Sequence, residues 1–303
     1  MSTRVIAAGL ALAVGIAMVL TLLSGDPGAC VPGGDQVCAS DRPSATTAPT
    51  ALSTPAPSLP IVTPGPSPSP TATGTPAPSA TPPVYTFRDE FRGTSLKSVW
   101  GRHWPGFGST YWMSSQVSVG NGVLTIKARK PASGSKWVSG LIDTVGTFTQ
   151  QYGVFSARMK FDQGNGLWPA FWLAQPQNKA KEEAEVDVME VCANEIGLDD
   201  GNDVTLLHHY VHKPDGTHAF AIGVRTDDMS GEWHVYTADW RVDHITFYLD
   251  GVETATFTNP TDVAGIKMAI VLDLAVGGHF CSVADGSTPK GSTLQVDWVR
   301  VTR

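Results

Sequence analysis

From Val84 onward, apolar and polar residues alternate with a period of two. That spacing puts successive side chains on opposite faces of an extended chain and predicts half-buried strands. Val117–Val119 runs into Asn121-Gly122 and returns as Val123–Ile126, while Ile245–Leu249 runs into Asp250-Gly251 and returns as Val252–Phe257. Both read as hairpins, because these residue pairs tolerate the positive φ of a two-residue turn. Further strands are expected over Gly153–Phe161, Ala184–Val191, Val204–Val211, Ala219–Val224, His234–Arg241, Met268–Val276 and Leu294–Val301, each bounded by Gly, Asp, Asn or Pro. No long stretch holds a helical period, and there is no internal repeat. Many short strands with turns between them predict an all-β domain, either a two-sheet antiparallel sandwich or a closed barrel.

The alternation has no counterpart before residue 84. All 9 Trp, 6 Tyr and 11 Phe lie at or after Tyr85, whereas Pro43 to Pro83 is crowded with Pro, Ser, Thr and Ala. Such a segment buries too little apolar area to offset its ordering entropy. Residues 30–83 are therefore expected to be a disordered linker, and 84–303 the folded domain. Extended as polyproline at ~3.1 Å per residue, the Pro-rich part would reach on the order of 140 Å. Residues 1–29 carry an apolar run from Val5 to Leu23 behind Arg4. The run is longer than the apolar core of most cleaved signals and no Ala-x-Ala follows, so a signal peptide and an N-terminal membrane anchor both stay open. Either places the domain outside the cell, secreted or tethered to the cell surface.

Charge and cysteine narrow the partners. A net charge of -7 without any Lys/Arg run repels phosphate backbones, so no nucleic-acid partner is expected. Four cysteines in an exported chain divide by position into Cys30 with Cys38 and Cys192 with Cys281. The second pair would staple two distant parts of the domain, with two separate buried thiols as the alternative.

Glu185-Val186-Asp187-Val188-Met189-Glu190 places three acids in a strand that is otherwise apolar, although acids are depleted in strands. Glu185 and Asp187 share a face, with Val186 and Val188 entering the core. Glu190 is out of phase and would point inward, so a bulge near Val188 or Met189 is expected to return it to the face of the other two. Three crowded carboxyls should have separated pKa values, one ionised as nucleophile and one protonated as acid. That division suits double displacement at a glycosidic carbon, which needs two carboxyls ~5 to 5.5 Å apart. An acidic edge strand and a divalent-cation site are the alternatives that spacing leaves open.

The motif resembles the Glu-x-Asp-x-x-Glu signature of glycoside hydrolase family 16, in the bulged form of laminarinase-like members, agarases and carrageenases. The likeness extends through Asp89-Glu90-Phe91, Gly153 to Met159, Gly166 to Leu173, Trp233-His234, Trp240, Asp250-Gly251-Val252, Leu274 to Gly278 and Val296 to Val301, which is nearly all of 84–303. The resemblance implies a jelly-roll sandwich with an open concave cleft, and a retaining endo-β-glycanase acting on a β-linked polysaccharide, most simply a β-1,3-containing glucan. Glu185 is then the nucleophile, Glu190 the acid and then base, and Asp187 the residue that tunes both. Trp168 and Trp172, four apart on one strand face, would carry sugar rings, with Phe171 on the core side. His209 matches the family's cleft histidine and would donate to a sugar hydroxyl, leaving His212 at the surface. No cofactor is expected for catalysis, but a structural calcium is implied at Glu90, the Gly122 carbonyl and Asp297. Asp199 to Asp203 reads as a solvated loop. After Gly277-Gly278 the chain has His279-Phe280-Cys281-Ser282 where many relatives have Trp-Pro-Gly, so the substrate-facing loop differs. The domain is expected to be monomeric. Rival readings are a transglycosylase that passes the sugar to another chain and a non-catalytic carbohydrate-binding module.

Overall fold

The computed structural model describes Ile61–Val62 and residues 83–303, apart from 105, 107–109, 133–135, 177–183, 193–203, 216, 279 and 282. All of these lie in one compact unit, Pro55–Arg303. The export segment, Cys30 with Cys38, most of the linker and the Asp199 to Asp203 loop fall outside the described residues. Among the described residues no helix is long and apolar enough to cross a membrane.

The strands, in chain order, are β1 Ile61–Val62, β2 Tyr85–Asp89, β3 Thr110–Trp112, β4 Val117–Gly120, β5 Val123–Lys127, β6 Trp137–Ser139, β7 Leu141–Asp143 and β8 Gly153–Phe161. They continue with β9 Leu167–Ala174, β10 Glu185–Glu190, β11 Leu206–His212, β12 His218–Arg225, β13 His234–Trp240, β14 His244–Leu249, β15 Val252–Thr258, β16 Ala269–Val276 and β17 Thr293–Thr302. One sheet has the order β1-β12-β11-β10-β9-β16-β7 and the other β15-β14-β13-β8-β17-β5-β4, with β2 added to β17. Both have free ends, so the fold is a sandwich and the barrel alternative is excluded.

Both expected hairpin turns are present, with φ of 55° and 77° at Asn121-Gly122 and 51° and 79° at Asp250-Gly251. The short strands β2, β3, β6 and β7 are not legible as periodic runs, since three to five residues are too few to show alternation. Within the Pro-rich tract, Ile61–Val62 pairs in parallel with Gly223 and Val224 on β12. The segment expected to be wholly disordered thus supplies one edge pairing.

The layer between the sheets follows from the alternation. In β8, Phe155, Ala157, Met159 and Phe161 are buried, while Val154, Ser156, Arg158 and Lys160 stay partly exposed. Tyr236, Ala238 and Trp240 of β13 join them from the outer sheet. Val186, Leu207, Phe171 and Leu272 face them from the other. In β17 the inward set changes phase, from Leu294 and Val296 to Val299 and Val301, and the register against β8 slips between Val296 and Trp298. The extra residue keeps valines in the core and Asp297 outside it.

In β9 and β16 nearly every residue is buried. Their second face is covered as well, by the walls of a cleft.

Phe247 is fully buried, with His209 stacked 4.3 Å away and Phe220 at 6.2 Å. Phe247→Ala should lower the unfolding free energy by about 3–5 kcal/mol, read as a fall in the urea midpoint at unchanged m-value.

Candidate active site

The strand that carries the acids, β10, departs from regular pairing where the sequence demands it. On the β9 side Asp187 faces Trp172, Met189 faces Phe171 and Glu190 faces Ala170. One residue is thus extra between Asp187 and Met189. Against β11 the register slips between Asp187 and Glu190. The bulge lets Val188 and Met189 both enter the core, at 1% and 0% exposure, and turns Glu190 back to the face of Glu185 and Asp187. The alternative, an acid in the apolar layer, would cost several kcal/mol.

The three carboxylates lie on the floor of a cleft of roughly 440 Å³. Trp104, Trp112, Trp168 and Trp172 line it together with Tyr210, His212, Asp273 and Phe280. Trp168 and Trp172 are on the cleft side, and Phe171 is buried in the core. The Trp168 indole N–H donates to Glu190 Oε1 at 2.7 Å, and that of Trp172 to Asp273 Oδ2 at 2.8 Å. Trp104 packs on Trp172 with ring centres 4.9 Å apart.

Burial in the cleft is the main force on the acids. It pushes Glu185 well above the ordinary carboxylate range, and the charges of Asp187 and Glu190 add to it, although 30% of the Glu185 side chain remains open to solvent. Glu190 is also pushed well up, by burial and then by Asp187, while the Trp168 donor works the other way. Both glutamates are thus pushed in the same direction by burial, and only Glu190 has an indole donor working against it. A counter-charge is at hand in His212, whose Nε2 lies 3.0 Å from Asp187 Oδ2 and 3.7 Å from Glu185 Oε1. Burial works to lower the pKa of His212, but the hydrogen bond and charge of Asp187 outweigh it, and the net shift is upward.

Two histidine assignments are corrected. His209 does not face the cleft. It is buried in the core layer, its Nδ1 3.0 Å from the Val188 carbonyl and its Nε2 2.9 Å from Thr254 Oγ1. Burial lowers its pKa to about 3, so it stays neutral. His212, expected at the plain surface, sits opposite Glu185 in the ladder. The cause is strand parity: His208, Tyr210 and His212 pair with Glu190, Asp187 and Glu185 and share their face, whereas His209 takes the other.

Asp273, Trp104 and Trp112 also belong to the cleft and escaped the sequence reading. Asp273 carried the signal that singled out the other acids, a carboxylate inside the apolar strand Ala269–Val276. Its pKa is raised to about 7, chiefly by burial, with the Trp172 bond opposing. Trp104 and Trp112 lie in irregular chain or a short strand and give no periodic signal.

The implied calcium ligands do not fit the ion. Glu90 Oε1 accepts from Arg88 Nε at 2.6 Å and Arg300 Nε at 3.0 Å, and its Oε2 from the Arg300 terminal nitrogen at 3.1 Å. Asp297 Oδ2 accepts from Arg158 at 2.7 Å. Arg300, followed by Arg88, draws the Glu90 pKa down. Calcium needs six to eight oxygen ligands and leaves no room for guanidinium groups on the same carboxylates. The arginines tie β2, β8 and β17 together by direct ion pairs instead. Cys192 and Cys281 are disulfide-bonded, with Cα atoms 5.5 Å apart, as their positions suggested.

A model of the glycosyl hydrolases of family 16 matches residues 108–300. The chain is 30% identical over 220 residues to the endo-1,3-1,4-beta-glycanase ExsH of Rhizobium meliloti, covering 69% of this chain and 44% of that protein. It is also 30% identical over 264 residues to the glucan endo-1,3-beta-glucosidase A1 of Niallia circulans, covering 71% and 37%. The chain thus spans less than half the length of these curated relatives. Among solved structures, the Bacteroides ovatus GH16 of a mixed-linkage glucan PUL, in complex with a G4G4G3G product, superposes with a TM-score of 0.62 at 26% identity. That match covers 71% of this chain and 99% of that one.

Two outcomes follow from this geometry. Adding EDTA or calcium should leave the melting temperature unchanged, whereas Arg300→Ala should lower it. Asp273→Asn should raise the melting temperature at pH 7.5 but not at pH 3.5. A carboxyl whose folded pKa is raised stabilises the fold below its unfolded value, and that contribution is lost as pH rises through the folded value. For Asp273 the window runs from its ordinary 3.8 to about 7.

Proposed function

The chain belongs to glycosyl hydrolase family 16, and from that premise we propose that it is a retaining endo-β-glycanase acting on a neutral, β-1,3-containing glucan outside the cell. The observation that carries this reading is the bulge that returns Glu190 to the face of Glu185 and Asp187, in an aromatic-lined cleft. A binding module would need the aromatic walls but not three mutually repelling carboxyls.

In this reading the Glu185 carboxylate attacks the anomeric carbon as the bond to the leaving sugar oxygen breaks, and Glu190 gives that oxygen its proton. The product is a glycosyl ester on Glu185 and a released chain end. Glu190, now ionised, takes a proton from water, whose oxygen attacks the same carbon and frees Glu185 with net retention. The raised pKa of Glu190 suits an acid at near-neutral pH. Esterification of Glu185 removes one of the charges acting in the cluster, which favours the switch of Glu190 to base. His212, drawn toward its charged form by Asp187, favours the ionised state of Glu185 that attack requires. Trp168 fixes the direction of the Glu190 carboxyl through its indole N–H.

Among the described residues the cleft is lined by four carboxylates and no Lys or Arg. This supports a neutral glucan over sulfated galactans, whose charge would be repelled. The flat Trp faces suit the C–H faces of pyranose rings. The apolar run Val5 to Leu23 supports export, and the Pro-rich stretch supports a tether.

Glu185→Ala should abolish release of reducing ends from laminarin and mixed-linkage glucan while leaving the fold intact, and azide should restore cleavage with inverted glycosyl azide as product. Full activity without azide would remove Glu185 from the nucleophile role.

A further inference from the structure

Among the described residues, Phe280 flanks the cleft beside the proposed acid. Phe280 lies 5.1 Å from Trp168, the residue that donates to Glu190, and 4.8 Å from His208 and 6.1 Å from Tyr210. His208 and Tyr210 lie on the cleft face of β11 with nearly parallel rings, 11° apart. Phe280 stands at 87° and 90° to them, on edge. His208 directly faces Glu190 in the ladder and yet is 1% exposed. The Phe280 ring covers His208 and forms a side wall of the cleft next to Trp168 and Glu190, while the cleft itself continues across β11 past Tyr210 and His212.

Covalent and backbone constraints add to the packing that holds the ring. Gly277 and Gly278 turn the chain with φ of 65° and 151°, and the Gly277 N–H donates to the Gly166 carbonyl at 2.7 Å. Cys281, the next residue after Phe280, is bridged to Cys192, two positions beyond Glu190. Both cysteines are buried, in a cluster with Trp168 and Ala275. The bridge thus references the position of the ring to the end of the strand that carries the acid.

We propose that Phe280 determines specificity at the sugar beside Glu190. Phenylalanine has no donor or acceptor, so it acts by shape: it accepts a chain with a bare ring edge at that place and excludes one carrying a 6-O-glycosyl branch there. This rests on the hydrolase reading and goes beyond it by naming the residue and the substrate feature. A steric wall of this kind discriminates between substrates without taking part in bond making.

The test compares linear β-1,3-gluco-oligosaccharides with oligosaccharides of equal backbone length bearing 6-O-glucosyl branches, with kcat and KM measured for both. The wild-type protein should prefer the linear series. Phe280→Ala should shift the branched-to-linear ratio of kcat/KM upward by roughly tenfold, and Phe280→Trp should shift it downward. A ratio between two substrates of one protein sample is independent of the folded fraction, so a merely structural role would not move it. Cys192→Ser with Cys281→Ser should move it in the same direction as Phe280→Ala. An unchanged ratio in Phe280→Ala, with linear glucan still cleaved, overturns the wall alone. Failure of the wild-type protein to cleave any glucan overturns the hydrolase reading and the wall with it.

Discussion

An ionised carboxylate cannot rest in the apolar layer between two packed sheets, and the centre of this molecule is arranged around that prohibition. β10 must supply Val186, Val188 and Met189 to the core while keeping Glu185, Asp187 and Glu190 out of it. A strand of strict period two cannot do both over six residues. The bulge resolves the conflict, and with it three acids converge on one face. The same device recurs in β17, where a slip keeps Asp297 outside while Val296 and Val299 stay inside.

Once gathered, the acids take their properties from the walls. The cleft is apolar along much of its surface, and burial is the first cause of the upward shifts of Glu185, Glu190 and Asp273. Polar contacts then differentiate them. Glu190 and Asp273 each receive an indole N–H, from Trp168 and Trp172, while Glu185 and Asp187 share His212. The tryptophans therefore have two tasks, presenting flat faces to a sugar and holding the carboxyl groups in direction. The arrangement resists replacement of either tryptophan by another aromatic, since phenylalanine would leave a buried carboxylate oxygen without its donor.

The cleft also depends on ties that lie away from it. The Cys192–Cys281 bridge anchors the loop that bears Phe280. On the outer sheet, arginines from β2, β8 and β17 neutralise Glu90 and Asp297 and join strands that are remote in sequence. Buried Asp143 accepts from the His103 backbone N–H at 2.7 Å and lies 2.6 Å from its Nδ1. That contact fixes the chain next to Trp104, a cleft wall. The bridge and the Asp143 contact each link chain beside a cleft residue to a strand of the sandwich, which is how irregular chain acquires definite geometry.

The sequence by itself determined the class of fold, the two Gly-containing hairpin turns, the bulge and the identity of the three acids. These follow from local rules: period-two alternation, the positive φ that Asn-Gly and Asp-Gly accept, and the cost of an acid facing the core. It also placed Trp168 and Trp172 on one face and Phe171 on the other, again by parity along a single strand. Parity between strands is a different matter. His209 and His212 exchange roles because the face that β11 turns to the cleft is fixed by its pairing with β10, and the four polar or aromatic residues among His208 to His212 leave the alternation ambiguous. Trp104, Trp112 and Asp273 join the site from segments far along the chain, and the arginines at Glu90 and Asp297 come from three strands. Only the tertiary structure decided those, because which side chains meet across a cleft depends on long-range strand order, which no short window of sequence encodes.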